Sequence, residues 1–153
     1  MTRLVAMTAS TLGRARPDRA GAGAAGGLGF AFLEYLGAVA RPGVQVVAET
    51  VELGRKLIGA DWVFTGEGSV DAQTILGKTP FGVAQIARRH NTPVIIFAGR
   101  VSADASILLE HGVDELITIT PDGTPIEQAL RDGPAFLAGA TAEFSSRMHS
   151  RGA

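Results

Sequence analysis

The residues Thr65-Gly-Glu-Gly-Ser-Val-Asp-Ala-Gln-Thr-Ile-Leu-Gly-Lys-Thr79 place two carboxylates, a lysine, hydroxyl groups, an amide and three glycines directly behind the apolar run Trp62-Val63-Phe64. Glu67 stands between Gly66 and Gly68, where glycine permits a positive φ or a close approach of backbone to ligand. Asp71 follows four residues later, and Gln73 and Thr74 add neutral hydrogen-bonding groups. Hard oxygen donors of this kind suit a magnesium ion that keeps part of its water shell, beside a hydroxylated anionic metabolite. Lys78 would supply a point charge for a phosphate or carboxylate. Each residue also has a plain structural reading: Asp71 as a helix cap, Lys78 as a solvated charge, Glu67 as the partner of an arginine.

Several familiar chemistries are excluded by spacing. Gly77-Lys78-Thr79 resembles the end of a P-loop, but the position five before Gly77 is Ala72 and Pro80 follows at once. His90, His111 and His149 are scattered without metal-ligand spacing, and no Gly-x-Ser-x-Gly elbow exists. Upstream, Gly21, Gly23 and Gly26, with Gly27 adjacent, spell the dinucleotide fingerprint, which requires a strand immediately before it. Arg14 to Ala20 is a poor strand. Two readings of these glycines remain: close helix packing by small residues, or exposed amides that receive an anionic group.

The elements that must position these groups follow from periodicity. A buried helix is expected around Phe30 to Leu36, ending near Gly37, and a helical pattern runs through Val47, Val51, Leu57 and Ile58 to Gly59. A strand from Trp62 to Thr65 then gives way to the polar loop. Pro80 opens a helix that closes on Arg88, Arg89 and His90, and Val94 to Ala98 is the continuous apolar run of a strand covered on both faces. A helix from about Ser102 to Glu110, a strand from Glu115 to Thr120, a helix through Leu130 and a last helix from Pro134 to about Met148 complete the chain. Strands alternating with helices predict an α/β fold, a parallel sheet with flanking helices and ligand loops at the strand carboxyl ends.

A chain of 153 residues with 46% apolar and 19% charged residues can build a core. A formal charge of -1 offers no net attraction for nucleic acid or membrane, and no apolar run reaches the ~20 residues of a bilayer span. Cysteine is absent, which excludes disulfides, thiolate zinc sites and cysteine nucleophiles and agrees with a cytoplasmic location.

The run from Thr65 through Gly77, Lys78 and Pro80 to Gly82-Val83-Ala84 resembles the signature of bacterial glycerate kinases of the two-domain type. Gly21-Ala-Gly-Ala-Ala-Gly-Gly-Leu-Gly29 is similar to a second hallmark of that family, and the resemblance extends from about Gly21 to Met148. It implies transfer of the ATP γ-phosphate to a hydroxyl of D-glycerate, with magnesium. On these positions Asp71 would orient or deprotonate the attacking hydroxyl or hold magnesium, Glu67 would be the alternative metal partner, and Lys78 would meet phosphate or the glycerate carboxylate. Substrate or nucleotide binding would fall to Gly21, Gly23, Gly26, Gly27, Thr65, Gly66, Gly68, Gln73 and Thr74.

The family's opening segment, of the type Asp-Ser-Phe-Lys-Gly-Ser, has no counterpart here. The expectation is therefore an incomplete, Rossmann-like part of the family's fold. Residues 1-20 would be a linker or cut edge without expected order, 21-58 the tail of the second domain, and 59-153 the C-terminal half of the first. Missing sheet neighbours would then favour a homodimer or association with an N-terminal half, with little or no activity alone. The alternative is a catalytically silent Rossmann-like module that oligomerises or binds a ligand.

Overall fold

Five consecutive apolar residues, Val94 to Ala98, are all buried, and they decide the architecture. The computed structural model describes residues 1–151, so the last two residues of the region expected to run to 153 lie outside the described residues. Val94 to Ala98 begin β2 (Val94–Val101), the central strand of a three-stranded parallel sheet between β1 (Val63–Val70) and β3 (Glu115–Thr118). Val63 pairs with Val94 and Val70 with Val101, while Ile95 pairs with Glu115 and Ala98 with Thr118.

Successive strand side chains point to opposite faces, so an unbroken apolar run needs cover on both. Val94, Ile96 and Ala98 pack with Val63 and Val70, with Ala84 and Ala87 of α5 (Thr79–Arg88) and with Leu108 of α6 (Ile107–Glu110). Ile95 and Phe97 meet Phe144, Ala140 and Met148 of α7 (Ile126–Arg151) on the other face. Each fully buried Val or Ile contributes about 1.5–3 kcal/mol, so losing either cover would cost several times that. The α/β class with flanking helices is thus as the alternation predicts.

β1 differs from expectation. Read from the sequence as a strand to Thr65 and then a loop, the chain instead continues extended through Gly66, Glu67, Gly68 and Ser69 to Val70. The cause is close strand contact. A Cβ on Gly66 would stand 2.6 Å from the Phe97 carbonyl oxygen, and one on Gly99 would stand 2.7 Å from the Gly68 carbonyl oxygen. Gly66 and Gly68 are absent from the positive-φ glycines, so neither makes a turn, and the backbone that Gly66 approaches is β2. β2 likewise passes Gly99 and ends at Val101. The two helices expected before and after Pro134 form one, α7, with the proline inside it.

The chain divides into two compact units, Met1–Pro42 and the residues from Gly43 onward. In the sheet-bearing unit, α3 (Gly43–Thr50) and α4 (Leu53–Lys56) precede β1, Val44 packs so closely on Gly82 that a Cβ there would meet it at 2.5 Å, and Leu57 enters the core. These residues, expected with 21-58, therefore belong to the same compact unit as the sheet. In the first unit α1 (Thr2–Leu12) stands where a linker was expected, followed by turns and α2 (Leu28–Tyr35). Ala22, Phe30 and Leu33 form a small core with Leu4 and Val5, and the Thr8 hydroxyl lies 2.7 Å from the Tyr35 hydroxyl. The helical sequence of α1 is ordered by that apolar contact and hydroxyl pair. Among the described residues no helix is long and apolar enough to cross a membrane.

Candidate functional site

β1 ends at Val70, and Asp71 follows in extended backbone as the N-cap of a 3-10 turn, Ala72–Leu76. Its Oδ1 accepts from the Thr74 backbone N–H at 3.1 Å and from the Thr74 hydroxyl at 3.3 Å. The Asp71 backbone N–H in turn donates to the Thr74 hydroxyl oxygen at 3.3 Å, which completes a capping box. Lys78 Nζ donates to the same Oδ1 at 3.3 Å. Thr74 is fully buried, so its hydroxyl acts on Asp71 and does not face solvent. Burial of the Asp71 carboxyl pushes its pKa up, but the Lys78 hydrogen bond, the Lys78 charge and the Thr74 bonds outweigh that and hold it below its ordinary value of 3.8. The result is a carboxylate that stays ionised, aimed from a strand carboxyl end and clamped by a lysine.

Asp71, Thr74 and Lys78 are therefore brought together as one hydrogen-bonded group, and Gln73 sits exposed on the same turn. Ser102 supports them from below. Its N–H and hydroxyl both donate to the Val70 carbonyl, at 2.9 and 3.1 Å, tying the start of the segment after β2 to the end of β1. Ser102 was not singled out in the sequence as a site residue; the signal available was its place directly after a strand.

Glu67 lies on β1 between two cavities. Its Oε2 is buried and has no hydrogen-bond partner, a costly state for a carboxylate oxygen in the absence of a ligand or donor. With Thr65 and Gly66 it lines an apolar cavity of about 760 Å³ walled by Trp62, Phe97 and Phe144. With Gly68 it lines a second, mixed cleft of about 950 Å³ at the carboxyl ends of the strands. There Arg100, Thr118, Thr120 and Asp122 join it. These four were not anticipated, because their convergence depends on β2 and β3 ending side by side. No group of three or more His, Asp or Glu residues among the described residues is placed to hold a metal by itself. A single carboxylate such as Glu67, completed by phosphate oxygens and water, is a usual way to meet magnesium.

Gly21, Gly23, Gly26 and Gly27 fall in the Met1–Pro42 unit, in turns and a short 3-10 segment that precede α2. The segment doubles back tightly: a Cβ on Gly29 would sit 2.0 Å from the Gly21 carbonyl oxygen, and Phe30 N–H bonds the Ala22 carbonyl at 2.9 Å. No strand precedes it, so the dinucleotide fingerprint lacks its context.

Comparison with known proteins adds an independent line. A family model described as "Glycerate kinase family" matches residues 1–149. A glycerate kinase of Bacillus subtilis is 42% identical over 131 residues, covering 86% of this chain and 34% of its own length. The glycerate 2-kinase of Escherichia coli is 37% identical over 114 residues, covering 74% of this chain and 31% of its own. Among solved structures, the crystal structure of a Salmonella typhimurium LT2 protein provisionally named glycerate kinase 2 superposes with a TM-score of 0.62 at 36% identity, over 95% of this chain and 38% of that one. The chain spans about a third of the length of the curated relatives it matches.

Proposed function

This chain belongs to the glycerate kinase family, and on that premise we propose that it supplies the Asp71–Lys78 part of an active site that moves the γ-phosphate of ATP to a hydroxyl of D-glycerate. The carrying observation is the capped Asp71, held ionised beside Lys78 at the carboxyl end of β1. The glycerate hydroxyl oxygen forms the new bond to γ-phosphorus as the bridging bond to ADP breaks, and the hydroxyl proton leaves through Asp71 or water. A carboxylate held below its ordinary pKa is a weak base, so Asp71 works mainly by orienting the hydroxyl while the loose transition state develops. Lys78 offers its charge to transferring phosphate or to the substrate carboxylate.

The unpartnered, buried Oε2 of Glu67 is the group that would hold a magnesium ion, with phosphate oxygens and water completing its shell. Asp71, roughly 13 Å further along the extended backbone, is engaged by Thr74 and Lys78 and would not share that ion. Bound there with ATP, the ion would neutralise phosphate charge and orient the phosphate chain. Thr65, Gly66, Gly68 and Gln73 lie on the same strand and turn and are assigned to contacts with substrate or nucleotide. The work is assigned to the cytoplasm, where ATP is supplied.

Since the chain spans about a third of its relatives, the complete reaction is assigned to an assembly with further polypeptide, either a second copy or an N-terminal half. A silent binding module is the second reading, favoured by the exposed Phe64 on β1 and Trp62 just before it. An assay of glycerate-dependent ADP release distinguishes the two, run on the chain alone and mixed with the remaining part of a full-length relative. Turnover only in the mixture, reduced about 100-fold by Asp71→Asn through loss of the hydroxyl's orientation, is the expected result. No turnover in either arm sinks the kinase reading for this chain, and a near-wild-type rate for Asp71→Asn removes that residue from the reaction.

A further inference from the structure

The geometry points to the cleft of about 950 Å³ at the carboxyl ends of β1, β2 and β3 as a nucleotide subsite in which Arg100 grips the phosphate chain. This deepens the kinase reading and rests on it for the identity of the ligand. A three-carbon acid would leave such a space nearly empty, whereas a nucleotide fits the usual scale of small-molecule clefts. On one side Ile119 and, from the first turns of α7, Ile126 and Leu130 present an apolar surface; Ile126, 71% exposed, and Leu130, 76% exposed, stand one helical turn apart, so together they offer a flat apolar patch the size of a nucleobase.

The other side is polar. Arg100 follows Gly99 on β2, is exposed, and makes no ion pair among the described residues. It is the cation lining this cleft, and a guanidinium can meet phosphate oxygens with two parallel N–H bonds. Thr118 and Thr120 offer hydroxyls beside it, and Asp122 on the following turn is a carboxylate suited to ribose hydroxyls. Glu67, with its unpartnered Oε2, closes the inner end. The base lies against the α7 wall and the phosphates run toward Glu67.

Equilibrium binding of ATP, ADP and adenosine to the chain, with and without magnesium, tests this. Arg100→Ala is expected to weaken ATP and ADP at least about tenfold, to leave adenosine unchanged and to leave the melting temperature unchanged, with partial recovery in Arg100→Lys. Leu130→Trp, which fills the apolar side, is expected to weaken all three. The subsite is overturned if wild type binds neither nucleotide, if neither variant changes ADP affinity, or if Arg100→Ala raises only the glycerate KM of the assembled enzyme. Nucleotide binding with these variant effects but no glycerate-dependent turnover would leave the subsite standing and remove the kinase reading. Turnover without any effect of Arg100→Ala on nucleotide would do the reverse.

Discussion

At Asp71 a single carboxylate oxygen serves a backbone N–H, a hydroxyl and an ammonium group at once, so structural and chemical roles overlap in one residue. They are separable by pH. The folded-state pKa of Asp71 lies below its unfolded value, so the stability it contributes is fully present above about 3.8 and is lost as pH falls through the lowered native pKa. Lys78→Met removes the hydrogen bond and the charge that oppose burial, so the Asp71 titration midpoint, followed by carboxyl NMR, should rise. An unchanged midpoint would mean the lysine does not hold the carboxylate. The glycines beside it separate in the same way. Gly66→Ala drives a Cβ against the rigid Phe97 carbonyl and should destabilise by about 1–3 kcal/mol in urea denaturation. Gly68→Ala meets nothing within 4 Å and should fold nearly as wild type, so any loss of activity there reports a functional backbone.

At the scale of elements, β2 was readable because five buried apolar residues in a row have few other uses in an α/β chain. The second half of β1 was not. Gly66, Gly68 and Ser69 are poor strand formers by themselves, and it is pairing with Phe97 and Arg100 across the ladder that keeps them extended, a contact between residues some thirty positions apart. The cap was legible in local terms, since Asp71 with Thr74 is a short-range pattern, while the Arg100 cleft was not, since it exists only where two strand ends meet a helix start. α7 escaped for a third reason. Pro134 lacks the N–H that would bond the Leu130 carbonyl, and local rules read it as a break, yet burial of Phe144, with Ala140 and Met148 packed alongside, keeps the helix on the sheet. Pro134→Ala restores that donor and should raise unfolding stability by about 1 kcal/mol or more, a part of the ~3 kcal/mol an interior proline can cost. A loss of stability would show that the proline fits a bend the packing needs.

The sheet of the unit from Gly43 onward has two packed faces and an open edge at β1. β1 pairs with β2 alone among the described strands, so its other edge offers backbone groups along eight residues. Beside that edge Trp62 is 38% and Phe64 57% exposed, although their rings stack edge-on against Phe144 at 5.5 Å. Two partly exposed aromatic rings over the buried Phe144, next to an unpaired strand edge, are the surface through which an assembly of the kind proposed would form. Sedimentation over a range of protein concentration should show self-association of the chain or, in a mixture, capture of the remaining part of a full-length relative. Trp62→Lys puts a charge at the edge and gives up the Trp62–Phe144 edge contact while leaving the Phe64–Phe144–Phe97 contacts in place, so it should abolish the association while lowering the monomer's melting temperature by no more than a few degrees. Leu36→Lys, at a side chain 73% exposed in the Met1–Pro42 unit, should leave it intact. If both variants associate as wild type does, the β1 edge is not the interface; if only Trp62→Lys loses it, restoration of turnover in the mixed assay should fail for that variant too, which ties assembly to catalysis.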